Sequence, residues 1–134
     1  MATTTLVDNI FEQGKEFLQY LDKQNLDIRA AFWIYQKENN SWKLILSAPK
    51  VESQGSRFFY SKILRFLRSF SSQYKSDFLI SPLDIVVLSY SDNFILLLKK
   101  MITTSPAPSI NSISFSNNVI NGTLIDDAFI YRLV

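Results

Sequence analysis

Five cations between residues 57 and 75 carry the plainest chemistry in this sequence. Arg57, Lys62, Arg65, Arg68 and Lys75 share a segment with Phe59, Ile63, Phe66, Leu67, Phe70 and Tyr74, whose spacing is helical. On a helix Arg65, Arg68 and Lys75 fall opposite that apolar stripe, and Arg57 and Lys62 flank them. Such a face can neutralise a phosphate backbone, with Phe58 beside it as a stacking surface. Arg suits phosphate because its planar fork binds two oxygens at once. The competing readings are an acidic protein partner and a solvated face whose cations meet Asp or Glu from elsewhere in the chain. Charge is segregated: residues 49–76 carry a net +5, against −1 for residues 1–48 and −2 for residues 77–134.

A second group is acidic. Asp84, Asp126 and Asp127, with Asp92 nearby, would suit a Mg²⁺-dependent nuclease if they converged, since the ion takes two or three carboxylate oxygens. Their spacing matches no metal motif. Asp92 is placed to cap a helix, and adjacent strand residues such as Asp126 and Asp127 face opposite ways unless a bulge intervenes. A third candidate is ESQGSR, residues 52–57, where a Gly before a helix and a following Arg can hold an anion, though neither the Walker pattern nor the dinucleotide fingerprint is present. The aromatic residues Phe32, Trp33, Tyr35 and Trp42 read as core or interface material.

Composition removes whole classes of mechanism. The 134 residues include no His and no Cys, so Ser-His-Asp and Cys-His catalysis, disulfides and His- or Cys-ligated metals are excluded. Neither the composition nor any motif calls for a cofactor. Charged residues make up 19%, below the usual quarter, and there are eleven Phe. The length suggests a single domain over 1–134. The opening MATTTLVDN lacks the basic flank and apolar run of a secretory signal, and no apolar stretch approaches the roughly 20 residues of a membrane span. A cytoplasmic protein without membrane contact is the expectation.

The elements that would position these groups follow from periodicity. Residues 6–21 have helical spacing, with Thr5 as cap and Gly14 either tolerated or admitting a close neighbour. Residues 30–37 and 42–48 form a hairpin around Glu38–Ser41; pairing Lys37 with Trp42 sets Trp33, Tyr35, Leu44 and Leu46 on one side, and Phe32, Ile34 and Ile45 on the other. Residues 49–55 read as a loop, and Ser56 caps a helix to about Gln73. LDIVVLSY, residues 83–90, reads as a strand apolar on both faces, hence central, with Val86 and Val87 buried. A helix follows through about Ile102 with Lys99 and Lys100 in its last turn. Asn121-Gly122 closes a final hairpin with φ > 0 at the turn. The sum is a mixed α/β domain of order α-β-β-α-β-α-β-β, with about five strands and helices on both faces.

FSNNVING (115–122) followed by LIDDAFIYRL (124–133) resembles the end of a family of small, uncharacterised bacterial proteins, and AFWIYQKENNSWKLILSAP (31–49) is similar to that family's first hairpin. The likeness covers most of the chain but its motifs are structural, and it implies a bacterial, cytoplasmic, single-domain protein with no active-site residues. The leading functional expectation is a non-catalytic adaptor or accessory subunit of a bacterial intracellular complex, with a protein partner. The alternative is a nucleic-acid-binding accessory protein using the basic helix, and the third reading is a divergent metal-dependent nuclease.

Overall fold

The computed structural model describes residues 6–74, 77–102, 104–106, 109–120 and 123–134, with the backbone alone at 6, 117–120 and 123–126. Four helices, α1 (Leu6–Asp22), α2 (Pro49–Gln54), α3 (Ser56–Ser71) and α4 (Asn93–Met101), surround five strands, β1 (Ala30–Gln36), β2 (Ser41–Ser47), β3 (Ile85–Val87), β4 (Ile113–Ile120) and β5 (Thr123–Leu133). The spatial order is β3-β2-β1-β5-β4, all antiparallel except the parallel β2–β3 pair. The expected mixed five-stranded sheet and two helical layers are present, and the element order holds except for α2, an added helix between β2 and α3.

Period-two alternation on β1 builds both cores. Ala31 and Trp33 join Leu44 and Leu46 of β2 under α1, α2 and α3, where Phe17, Leu21, Phe59, Ile63 and Leu67 complete the first core. Ala30 and Phe32 point the other way, to Ile45, Ile130 and the α4 residues Ile95 and Leu98. The sides assigned from the sequence are right, but the register is offset by two: Tyr35 faces Trp42 and Trp33 faces Leu44. The cause is the loop, a 3₁₀ turn at Lys37–Asn39 closed by Asn40 in the left-handed region at φ 49°, so it occupies residues 37–40.

The sequence 83–90 is not the central strand. Only Ile85–Val87 pairs, and it lies at the sheet edge beside β2; β1 holds the middle. Ser81 and Asp84 form a capping box that curls Pro82–Asp84 into a 3₁₀ turn and leaves Leu83 81% exposed. Val86 and Val87 are half-buried, one against each core. An apolar run at an edge thus seals the ends of two cores. Residues 49–55, expected as a loop, contain α2, started by Pro49. Gly55, at φ 90°, ends α2 and precedes α3, and no Ser56 side-chain cap forms. Asp92 caps α4 as expected, accepting from the Phe94 N–H at 2.9 Å. Thr5 and the Asn121-Gly122 turn lie outside the described residues; Ile120 pairs with Thr123 across the latter, which leaves two residues for the connection.

Two details lock α1 to the sheet. Trp33 Nε1 donates to the Tyr131 hydroxyl at 2.8 Å, and that hydroxyl donates to the Phe11 carbonyl. Gly14 lies over this pair: a Cβ there would be 2.7 Å from Trp33 Nε1 and 2.5 Å from the Tyr131 oxygen. Gly14 therefore admits a close neighbour, one of its two sequence readings. The second detail is a β-bulge. Ala31 pairs with Arg132 and Phe32 with Ile130, so Tyr131 is the extra residue, and both Tyr131 and Arg132 are directed to the α1 side. Arg132, fully buried, donates to both Asp22 carboxylate oxygens at 2.9 Å.

Two stability predictions follow from these contacts. Gly14→Ala adds helix propensity worth about 1 kcal/mol but overpacks the Trp33–Tyr131 contact at a cost of about 1–3 kcal/mol, so urea unfolding should show a net loss of up to about 2 kcal/mol; a gain would refute the close approach. Asp22→Ala leaves Arg132 buried and unpaired and should cost about 3–5 kcal/mol, whereas Arg132→Met should cost less because the freed Asp22 carboxylate reaches water. Equal costs in the same titration would mean that the pair does not act through the buried charge.

Candidate functional site

The helix that bears the cations is set by its apolar stripe. Phe59, Ile63, Leu67 and Phe70 are buried and Phe66 and Tyr74 half-buried, as their spacing requires. The opposite side is thereby turned to solvent: Arg57, Arg65 and Arg68 are exposed, and Lys62 is intermediate. Lys75 lies outside the described residues. Among the described residues no carboxylate is within ion-pair distance of Arg57, Lys62, Arg65 or Arg68. The expectation that these cations meet acidic groups from elsewhere is not met. The nearby carboxylates are committed to other partners. Asp22 holds Arg132. Glu52 accepts from Ser89 Oγ at 2.8 Å and from the Ser91 N–H at 3.0 Å, and hydrogen bonds from Ser91 and Ser89 hold its carboxyl below the usual range.

The fold adds a cation that sequence reasoning missed. Lys50, in the first turn of α2, stands across from α3, and its Nζ donates to the Asn25 carbonyl at 2.7 Å. Between them runs a groove of about 300 Å³ lined by Gln24, Leu26, Lys50, Lys62, Arg65, Phe66 and Ser69. It combines three cations and two uncharged polar side chains with an apolar floor, and no carboxylate lines it. At the N-terminal end of the face, Phe58 is 53% exposed, with Lys62 Nζ 5.1 Å from its ring centroid and 3.4 Å from the Gln54 amide oxygen. The legible signal for Lys50 is charge segregation: it belongs to the basic stretch 49–76, but treating 49–55 as a loop hid its placement.

The acidic group does not assemble. Asp84 accepts from the Ser81 N–H at 2.9 Å, which makes it a cap. It lies beside β3, while Asp126 and Asp127 lie on β5, three strand positions away and so about 14 Å distant at ~4.8 Å per strand. Asp126 and Asp127 occupy successive positions of a ladder that is regular from Ile113–Ile130 to Ile120–Thr123, without the bulge that one ion would need. Among the described residues no group of three potential metal ligands occurs. ESQGSR is a helix–helix junction whose Glu52 is engaged on the side of Ser89 and Ser91. The aromatic set divides: Trp33 is in the first core, Phe32 in the second, and Trp42 packs against Tyr35 and edge-on against Phe11.

Comparison with protein-family models, with curated proteins and with solved structures finds no match. The site therefore stands on its own geometry. No helix among the described residues is long and apolar enough to cross a membrane. Exposed large apolar residues are dispersed over three places: Phe58 on α3, Leu83 in the 3₁₀ turn, and Leu96 with Met101 on α4. Leu96 lines a groove of about 560 Å³ together with Asn93, Leu97, Lys99 and Lys100.

Since Arg65 and Arg68 are exposed and meet no carboxylate among the described residues, the double variant Arg65→Gln/Arg68→Gln should keep its stability to within about 0.5 kcal/mol per site. A larger loss in urea unfolding would show that these cations serve the fold.

Proposed function

We propose that the protein is a non-catalytic accessory protein of the bacterial cytoplasm that binds nucleic acid through its backbone phosphates at the α3 face. The observation that carries this reading is the exposed row Arg57, Arg65 and Arg68, which meets no carboxylate among the described residues. Desolvated or neutralised cations would suit a structural role; exposed, unneutralised ones attract polyanions and release condensed counterions from them. Lys50 extends the row onto a second element, which gives the face depth as well as charge. The absence of His and Cys from the sequence supports binding over catalysis. The resemblance of the two hairpins to small bacterial proteins supports the compartment and adds no chemistry.

A second reading, an adaptor with a protein partner, is favoured by α4, where Leu96 and Met101 are exposed beside Lys99 and Lys100. Aromatic and Met side chains next to cations are common at protein interfaces. The apolar area is spread over separate elements, however, whereas the basic face is continuous on one helix and its neighbour. The nucleic-acid reading is therefore preferred.

The test is fluorescence anisotropy with labelled DNA and RNA over a range of salt. Affinity should fall steeply with salt, and Arg65→Gln/Arg68→Gln should lower the log–log slope by about 1.4 on single strands to about 1.8 on duplex. Lack of binding at low salt, together with a protein partner that Leu96→Glu dislodges, would replace this reading with the second.

A further inference from the structure

We infer that the groove between α2 and α3 receives a single strand, with a phosphate held by Lys50, Lys62 and Arg65 and a neighbouring base stacked on Phe58. This rests on the nucleic-acid reading and names the form of nucleic acid that fits. The three cations surround a concavity of about 300 Å³ whose floor includes Leu26 and Phe66. A duplex presents a convex rod with its bases stacked inside, so it would touch the rim cations and leave the apolar floor unused. A single strand can lower one phosphate among the cations and turn its bases to apolar or aromatic surface.

Phe58 supplies the second half. It is the one large aromatic side chain among the described residues that is more than half exposed, and it sits one turn before Lys62 on the same helix. Lys62 Nζ is 5.1 Å from its ring centroid and also lines the groove, so phosphate contact and ring are joined through one residue. Helix geometry places Phe58, Lys62 and Arg65 on one stripe, about 6 Å and about 4.5 Å apart along the axis. An aromatic plane followed by two cations at that spacing suits consecutive base and phosphate groups of an unpaired strand. The sugar edge is not distinguished, so DNA and RNA strands share the chemistry.

The experiment compares labelled oligothymidylate and oligouridylate with a duplex of equal length, using the full chain. At least one single strand should bind more tightly than the duplex. Phe58→Ala should weaken single-strand binding at least about fivefold while leaving both the salt slope and duplex affinity unchanged, because stacking releases no counterions. Lys50→Gln should weaken single-strand binding and lower its salt slope by less than about 0.7, because Lys62 and Arg65 still meet the same phosphate. Phe58→Leu, which retains apolar volume, should reproduce the loss and guards against a folding defect in the first variant. Duplex binding at least as tight as single-strand binding, or Phe58 variants without effect, would overturn this inference and leave the phosphate reading standing. No binding to any of the three probes would end both.

Discussion

Arg132 is fully buried, and a guanidinium taken out of water needs an acceptor for each of its five N–H groups. All five are met: two bonds go to Asp22 at the end of α1, one to the Ile28 carbonyl before β1, and two to the Ser109 carbonyl before β4. One side chain on β5 thus fixes three separate stretches of backbone. It can do so only because the bulge at Tyr131 brings Arg132 round to the α1 side. The same bulge sets the Tyr131 hydroxyl under Gly14, where burial holds the phenol protonated far above its ordinary range. Helix, strand and loop therefore share one set of electrostatic requirements, and the first core is assembled around it.

How legible this was in the sequence depended on whether a signal was local. The amphipathic α3, the Asp92 cap and the alternating faces of β1 follow from side-chain period and short-range hydrogen bonding, and they formed as expected. The stretch 83–90 failed because an apolar run reports burial but not sheet position; two capping residues, Ser81 and Asp84, turned its first part into a 3₁₀ turn. The two-residue register offset of the first hairpin came from Asn40, whose left-handed backbone moved the loop without exchanging faces. Arg132 carried no local signal, since a charge on a terminal strand reads as surface until the strand pairing is known. Of the candidate site, the α3 cations were readable and Lys50 was not, for it joins them only through the packing of α2.

Charge and structure are separated in this fold. Asp22 and Asp84 are used as internal fasteners, and Glu52 ties α2 to the segment at 89–91. Among the described residues the four α3 cations, Arg57, Lys62, Arg65 and Arg68, take no part in such ties to carboxylates. Three carboxylates are thus taken up by architecture while Arg57, Arg65 and Arg68 stay exposed, so a chain of small net charge still carries a row of cations on one helix. Net charge alone, +2, would have concealed it.

Gly55 is the single residue that joins α2 to α3 along the chain. Its φ of 90° lies where residues with a Cβ are strained, and a Cβ built there meets nothing within 4 Å. The torsion sets the bend, and Val51 of α2 with Phe59 and Ile63 of α3 hold it from the first core. Because Lys50 rides on α2 and Lys62 and Arg65 on α3, that torsion also governs how far apart the walls of the basic groove stand. A side chain at position 55 would therefore press on the groove from its hinge, against walls that the first core holds in place.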